Sequence, residues 1–199
     1  MDYILWLRGE AFPDLDLSGQ KILIDCANGA ASEIAPRVMK AFGAEAILMH
    51  AAPNGSNINL DCGATKPQVC ATEMLKHQYD AGLSLDGDAD RGILCDNTGR
   101  ILDGDTILAG LGQAMSQQQK LANNTVVATV MSNLALETYL KESGVTLLRT
   151  QVGDKYVAQE MRNGNHNLGG EKSGHILFGT EHGFRGDGLY TLLRVLQAV

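Results

Sequence analysis

The sequence predicts an α/β protein made of two consecutive β/α domains, each with a mainly parallel, mixed sheet covered by helices. Three observations lead there. Short apolar runs of strand length alternate with helix-length segments, and this alternation occurs twice along the chain. Turn and cap residues punctuate the runs, among them Asn28-Gly29, Gly43, Asn97-Thr98-Gly99 and Gly144. Aromatic residues are only 5% of a chain that is 44% hydrophobic, so aliphatic side chains must fill the cores.

Met1 to Leu7 reads as the end of a helix, and Pro13 to Gly19 as a connector. Lys21 to Asp25 is a strand, Ala27-Asn28-Gly29 a turn, and the next helix runs to about Phe42, closed by Gly43. Ala46 to Met49 is the next strand. A loop from Pro53 to Pro67 precedes a helix over Val69 to Gln78. Two strands, Ala81 to Leu85 and Gly92 to Cys95, flank an acidic segment, and a hairpin turn comes after them at Asp96 to Gly99. Asp103-Gly104-Asp105 starts a helix at about Thr106, which places the domain boundary so that the units are 1–102 and 103–199. In the second unit Thr125 to Val130 is a strand, and Asn133 caps a helix over Leu134 to Glu142. Thr146 to Thr150 is a strand, and Asp154 caps a helix to Asn163. His175 to Phe178 is a strand, and Asp187 caps the last helix. There Leu189, Leu192, Leu193 and Leu196 fall at i, i+3, i+4 and i+7, one buried face.

The 199 residues carry a net charge of −7, so the surface as a whole is not built to attract nucleic acid. An anionic substrate needs a local basic patch instead. No basic stretch precedes the short apolar run near the N-terminus, which therefore does not read as a signal peptide. No apolar segment approaches the length of a membrane span. Cys26, Cys62, Cys70 and Cys95 form no Cys-x-x-Cys pair and share no zinc-like spacing with a histidine. They read as reduced thiols in a cytoplasmic protein.

Ser84 to Ile93 is the most informative segment. Asp86, Asp88 and Asp90 alternate with Gly87 and Ala89, and Arg91 comes directly after. Small residues let the backbone curl until the carboxylates converge on an all-oxygen pocket, the donor set Mg²⁺ prefers. An EF-hand reading fails, because counting from Asp86 the sixth residue is Arg91 rather than glycine and the twelfth is Asn97 rather than glutamate. A solvated acidic turn is the plain alternative, but the apolar strands on both sides disfavour it. Ala27-Asn28-Gly29-Ala30 can be an anion-binding turn or a simple strand-to-helix turn; it lacks the dinucleotide glycine pattern.

A second constellation, Gly169 to His175, gathers Glu171, Lys172, Ser173 and His175 between glycines. A carboxylate that accepts and a hydroxyl that does both can bind several sugar hydroxyls. A glycine-rich hairpin with incidental polar residues is the alternative.

Taken together, the two segments resemble the metal-binding and sugar-binding loops of the α-D-phosphohexomutase family. Asp25 to Ala30, Pro53 to Asn59 with Cys62 to Thr65, Met131 to Asn133, and Val152 to Val157 are similar to signatures of its glucosamine-phosphate branch. The resemblance runs in order over nearly the whole chain. It implies an enzyme of four domains that interconverts glucosamine 6-phosphate and glucosamine 1-phosphate through a phosphoserine and a bisphosphorylated sugar. Asp86, Asp88 and Asp90 then match the Mg²⁺ ligands, Arg91 the cation beside them, and Glu171, Ser173 and His175 the substrate-binding loop. Lys155 stands where the branch often carries arginine; it keeps the charge without the fork. The family's nucleophile lies in a Ser-x-Ser-His-Asn type segment that this chain lacks. The resemblance thus implies a second and a third domain, inactive without the flanking domains of the same enzyme. It leaves open the glucose- and mannose-phosphate branches, which tend to have histidine where this chain has Asp154, and a stand-alone metal- or sugar-binding module.

Overall fold

The structure, a computed structural model, describes residues 2–198. The chain divides into two compact units, Met1–Leu102 and Asp103–Val199.

In the first unit, Asp2 accepts the Ile4 amide and caps a short helix, α1 (Tyr3–Trp6), which continues as a π-helical turn over Leu7–Ala11. The segment thus begins a helix as well as ending one; Met1 lies outside the described residues. Arg8 fastens the start of the connector by donating to the carbonyls of Phe12, Pro13 and Leu15 while lying 5.4 Å from the Phe42 ring centre. The sheet runs β2 (Glu45–Met49), β1 (Lys21–Asp25), β3 (Ala81–Leu85), β4 (Gly92–Asp96), β5 (Ile101–Leu102) in spatial order. The first three strands are parallel, with Ile22 opposite both Ala46 and Ala81. The last two return antiparallel. Helices α2 (Ala31–Ala41) and α3 (Gln68–Met74) cover the sheet. Leu23, Cys70, Ala71, Met74 and Cys95 form a core cluster. α3 stops four residues short of the expected Gln78. Leu75 is 69% exposed, so the apolar stripe ends at Met74. Asp80 then ties the chain back to the sheet, its amide donating to Lys21 and its carboxylate accepting the Lys21 amide.

The second unit repeats the pattern. Its sheet runs β7 (Thr146–Thr150), β6 (Thr125–Thr129), β8 (Leu168–Gly170), β9 (Ile176–Phe178), parallel until β9 reverses. Four helices accompany it: α4 (Gly104–Gln117), α5 (Leu134–Glu142), α6 (Asp154–Asn163) and α7 (Gly188–Ala198). Asp103, Asn133 and Asp187 each accept an amide at a helix start. Asp154 does not cap α6. It is the first helical residue, and Gly153 precedes it at φ 128°, a conformation side chains resist. The sequence pattern does not predict β8, because a three-residue strand with two glycines carries almost no periodicity. Packing explains the glycines: a Cβ on Gly169 would lie 2.7 Å from the Met161 sulfur and 2.8 Å from the Val127 carbonyl oxygen. Val127, Val157, Ala158, Met161 and Leu177 form this unit's core cluster. In α7, Leu189, Leu192 and Leu193 are buried and Leu196 is half-buried.

Candidate functional site

The acidic segment is the turn between β3, the last parallel strand, and β4, which reverses direction. Its curl comes from Ala89, at φ 62°, rather than from Gly87. Gly87 serves close packing instead. A Cβ there would meet the Ile58 side chain at 2.6 Å, and one on Gly29 would lie 2.3 Å from the Gly87 carbonyl oxygen. That carbonyl accepts the Ala30 amide, which fixes the acidic turn to the start of α2.

The three aspartates converge. Asp86, Asp88 and Asp90 each present an oxygen within 4.8 Å of the others'. An octahedral Mg²⁺ site has oxygen–oxygen edges of about 3 Å and diagonals of about 4.2 Å, so this donor set fits the ion. Asp86 is buried, Asp90 half-buried and Asp88 exposed, which leaves an open side for waters or a ligand oxygen. Arg91 reaches back to the buried member. Its amide donates to Asp86 Oδ1 at 3.1 Å and its Nε to Oδ2 at 2.6 Å, with Asp90 Oδ1 3.6 Å away. Burial works to lower the Arg91 pKa, but the hydrogen bond and charge of Asp86, with the charges of Asp90 and Asp88, hold it above its ordinary value. Three carboxylates, one dication and this guanidinium sum to zero charge. Each Asp86 oxygen gives one lone pair to Arg91 and keeps another.

The second candidate turn lies between β8 and β9, the same topological position in its own unit. It closes on itself: the Glu171 amide donates to the His175 carbonyl and the Gly174 amide to the Glu171 carbonyl, with Gly174 at φ 90°. Lys172 and Ser173 are exposed and Glu171 is half-buried. His175 is 9% exposed, so it helps close the turn through its backbone. Lys155 is exposed in the first turn of α6, its ammonium 4.8 Å from the Tyr156 ring centre.

Two supports of this turn escape sequence reasoning. Glu171 Oε1 accepts the Gly153 amide at 2.9 Å, so the residue before α6 orients the carboxylate and leaves Oε2 for a ligand. Gly104, the first residue of α4, abuts the turn: a Cβ there would lie 2.0 Å from the Glu171 carbonyl oxygen. Its amide donates to the Lys172 carbonyl. The signal for Gly104 is present in the sequence, but between two aspartates it reads only as part of a helix cap. Asp105, also buried, accepts the Asn133 amide at 2.8 Å, and Arg149 donates to the Ser132 carbonyl. They hold the Met131-Ser132-Asn133 segment, where Val130 and Met131 stay exposed.

Residues 10–99 match the family domain described as "Phosphoglucomutase/phosphomannomutase, alpha/beta/alpha domain II", and residues 103–199 match its "alpha/beta/alpha domain III". A phosphoglucosamine mutase of Nitratidesulfovibrio vulgaris is 49% identical over 195 residues, 98% of this chain and 43% of that protein. One of Geotalea uraniireducens is 47% identical over 197 residues, 99% of this chain and 43% of that protein. This chain therefore spans about two fifths of the length of the curated relatives it matches. Among solved structures, a phosphoglucomutase/phosphomannomutase family protein of Burkholderia thailandensis aligns with TM-score 0.84 at 25% identity, over 98% of this chain and 42% of that one. An Aspergillus fumigatus N-acetylphosphoglucosamine mutase, solved with GlcNAc-6P and magnesium, shares the fold with TM-score 0.71 at 20% identity, over 91% of this chain and 47% of that one.

Proposed function

Because this chain belongs to the phosphohexomutase family, we propose that it supplies the second and third domains of a cytoplasmic phosphoglucosamine mutase. The whole enzyme would interconvert glucosamine 6-phosphate and glucosamine 1-phosphate through a phosphoserine carried on a flanking domain. One observation carries the reading: three carboxylates converge beside a guanidinium, in a chain 47–49% identical to proteins of that name.

Phosphoryl transfer is largely positioning and charge neutralisation. Asp86, Asp88 and Asp90 would hold Mg²⁺, which when bound supplies neutralisation of the phosphoryl charge. Arg91 holds the buried Asp86 in place with two bonds to its carboxylate. Its Nε is committed to that contact, and its four Nη hydrogens remain for phosphate oxygens. Glu171 Oε2 and the exposed Ser173 hydroxyl would take sugar hydroxyls, with Glu171 oriented by the Gly153 amide. His175 would keep this turn closed. Lys155 would add a cation for the substrate phosphate. The reduced, buried thiols agree with a reducing compartment. Among the described residues no helix is long and apolar enough to cross a membrane.

The test is a coupled assay on the protein carrying its flanking domains, with glucosamine, glucose and mannose phosphates compared. The expected order places glucosamine phosphate first. Asp86→Ala should abolish turnover of every substrate. Glu171→Ala should weaken substrate use through hydroxyl contacts worth about 1–3 kcal/mol each. The 199-residue chain alone should show no turnover. Preference for glucose or mannose phosphate, or full activity in Asp86→Ala, would refute the proposal.

A further inference from the structure

A second convergence of metal-ligating groups lies in the first unit, on residues the mutase reading leaves unused. Asp25 ends β1, His50 comes directly after β2, and Cys62 precedes a 3₁₀ turn at Gly63–Thr65. Asp25, His50 and Cys62 each offer one ligand atom to a common cation, and these atoms lie within 4.8 Å of one another.

Asp25 is fully buried, and its carboxylate is held from both sides. Oδ1 accepts the Ala27 amide at 3.0 Å and Oδ2 the Gly63 amide at 2.9 Å. His50 Nδ1 lies 3.1 Å from Oδ2, yet this buried nitrogen makes no aligned hydrogen bond. In a tetrahedral site with ligand bonds of about 2.0 Å, nitrogen and oxygen ligands sit about 3.3 Å apart. The observed separation is near that value. His50 adopts φ 45°, a left-handed backbone that histidine enters at a cost. Its carbonyl is fixed there by the Asn28 amide. Cys62 is fully buried, and Asn28 Nδ2 lies 4.0 Å from its sulfur. The His50 side chain is 33% exposed, which opens a route for an ion and a fourth position for water.

We propose that Asp25, His50 and Cys62 form a three-ligand site for a borderline divalent transition metal of the zinc class. The ligand set decides the class. One thiolate, one imidazole and one carboxylate suit Zn²⁺ or Co²⁺, whereas Mg²⁺ prefers oxygen alone. Binding forms a metal–sulfur bond and breaks the S–H bond of Cys62, and the proton leaves to solvent. His50 binds as the neutral ring, with its remaining proton on Nε2. The metal competes with a proton for the Cys62 sulfur. Three segments distant in sequence would be tied at the carboxyl end of the parallel strands.

The test titrates the reduced, metal-free 199-residue chain with CoCl₂ and reads its absorption spectrum. One equivalent should produce a sulfur-to-cobalt charge-transfer band with visible bands of a four-coordinate ion. Zn²⁺ should displace the cobalt, and excess Mg²⁺ should not. Cys62→Ser should remove the charge-transfer band, and His50→Ala should weaken cobalt binding at least about tenfold. Cys26→Ser and Asp88→Ala should leave the spectrum intact, which separates this site from the neighbouring thiol and from the acidic turn. In melting experiments Zn²⁺ should raise the Tm of the unaltered chain and not that of Cys62→Ser. A titration with no charge-transfer band, or a band that survives Cys62→Ser, would overturn the proposal and leave an ordinary His50–Asp25 ion pair.

Discussion

Gly104→Ala tests how the fold positions Glu171, and its magnitude comes from the geometry. The added Cβ would lie 2.0 Å from the Glu171 carbonyl oxygen and 2.9 Å from the Gly174 nitrogen. Both are backbone atoms, so no side-chain rotation relieves the clash. The carbonyl must retreat by about 1 Å, because interiors are packed too densely to absorb the overlap. Overpacking of this kind costs about 1–3 kcal/mol. The Gly104 amide also loses its bond to the Lys172 carbonyl, worth about 1 kcal/mol. Replacing glycine by alanine in a helix offsets at most about 1 kcal/mol of this. The net is a destabilisation of about 1–3 kcal/mol. Gly110→Ala is the control on the same helix: its Cβ meets nothing within 4 Å, so it should stabilise by about 0.5–1 kcal/mol. Urea unfolding of both variants measures the difference, and hydrogen exchange of residues 171–174 locates it. In the protein with its flanking domains, a displacement of this size at a binding group should cost about 10²-fold in turnover. If Gly104→Ala proved as stable as Gly110→Ala, with unchanged exchange in the turn, the reasoning would be refuted.

Asp88→Ala should abolish Mn²⁺ binding at the acidic turn, read by water proton relaxation, while shifting stability by no more than about 0.5 kcal/mol because Asp88 is exposed. Equal affinity in the two proteins would remove the turn as a metal site. Arg91→Ala should separate two readouts: Mn²⁺ affinity should hold or rise as the pocket gains negative charge, while turnover of the full enzyme falls. A fall in both would mean that Arg91 acts mainly by holding Asp86 in place. Burial, aided by the charge of Asp25, pushes the Cys26 thiol up to about 12, and burial likewise pushes Cys70 up to about 12. At pH 8 only about one in 10⁴ such groups is a thiolate, so a disulfide reagent should reach them only on unfolding, and fast labelling of the folded chain would contradict their burial.

How much of this is legible in the sequence depends on how local each cause is. β1, β3, β6 and β7 are readable because apolar runs end at polar or glycine turns. The caps Asn133 and Asp187 are readable because a short polar side chain bonding an amide two or three residues on is a local event. The clustering of Asp86, Asp88 and Asp90 is legible for the same reason. The illegible parts come from contacts across the chain. Asp80 draws the chain that follows α3 back to Lys21, 59 residues away. β8 exists because Gly169 fits beneath Met161 and beside Val127. The Gly153 amide on Glu171 spans 18 residues and leaves no mark on the spacing of either segment. Likewise Cys62 shows no zinc-like spacing with a histidine, because its neighbours His50 and Asp25 arrive from two other strand ends.

The strand orders explain why chemistry-bearing residues gather where they do. Each unit has three parallel strands with the first in the middle, β2-β1-β3 and β7-β6-β8, before a reversal into β4 or β9. In open α/β sheets ligands bind beyond the carboxyl ends of the parallel strands. Asp25, the last residue of β1, and the Met131–Asn133 segment and Gly153, after β6 and β7, all stand at such ends. The reversal adds a second constraint. A strand that turns back within its own sheet places the turn at that same end, joined on both sides to paired backbone. The turn is short, six residues from Asp86 to Arg91 and five from Glu171 to His175, and its backbone bonds to itself or to a neighbouring helix start. Such a turn is rigid enough to hold side chains at fixed distances and exposed enough to meet a ligand. The two units therefore offer one topological slot twice. The residues in it decide its chemistry: three converging carboxylates, one of them paired with an internal guanidinium, in the first unit, and a single oriented carboxylate beside an exposed hydroxyl in the second.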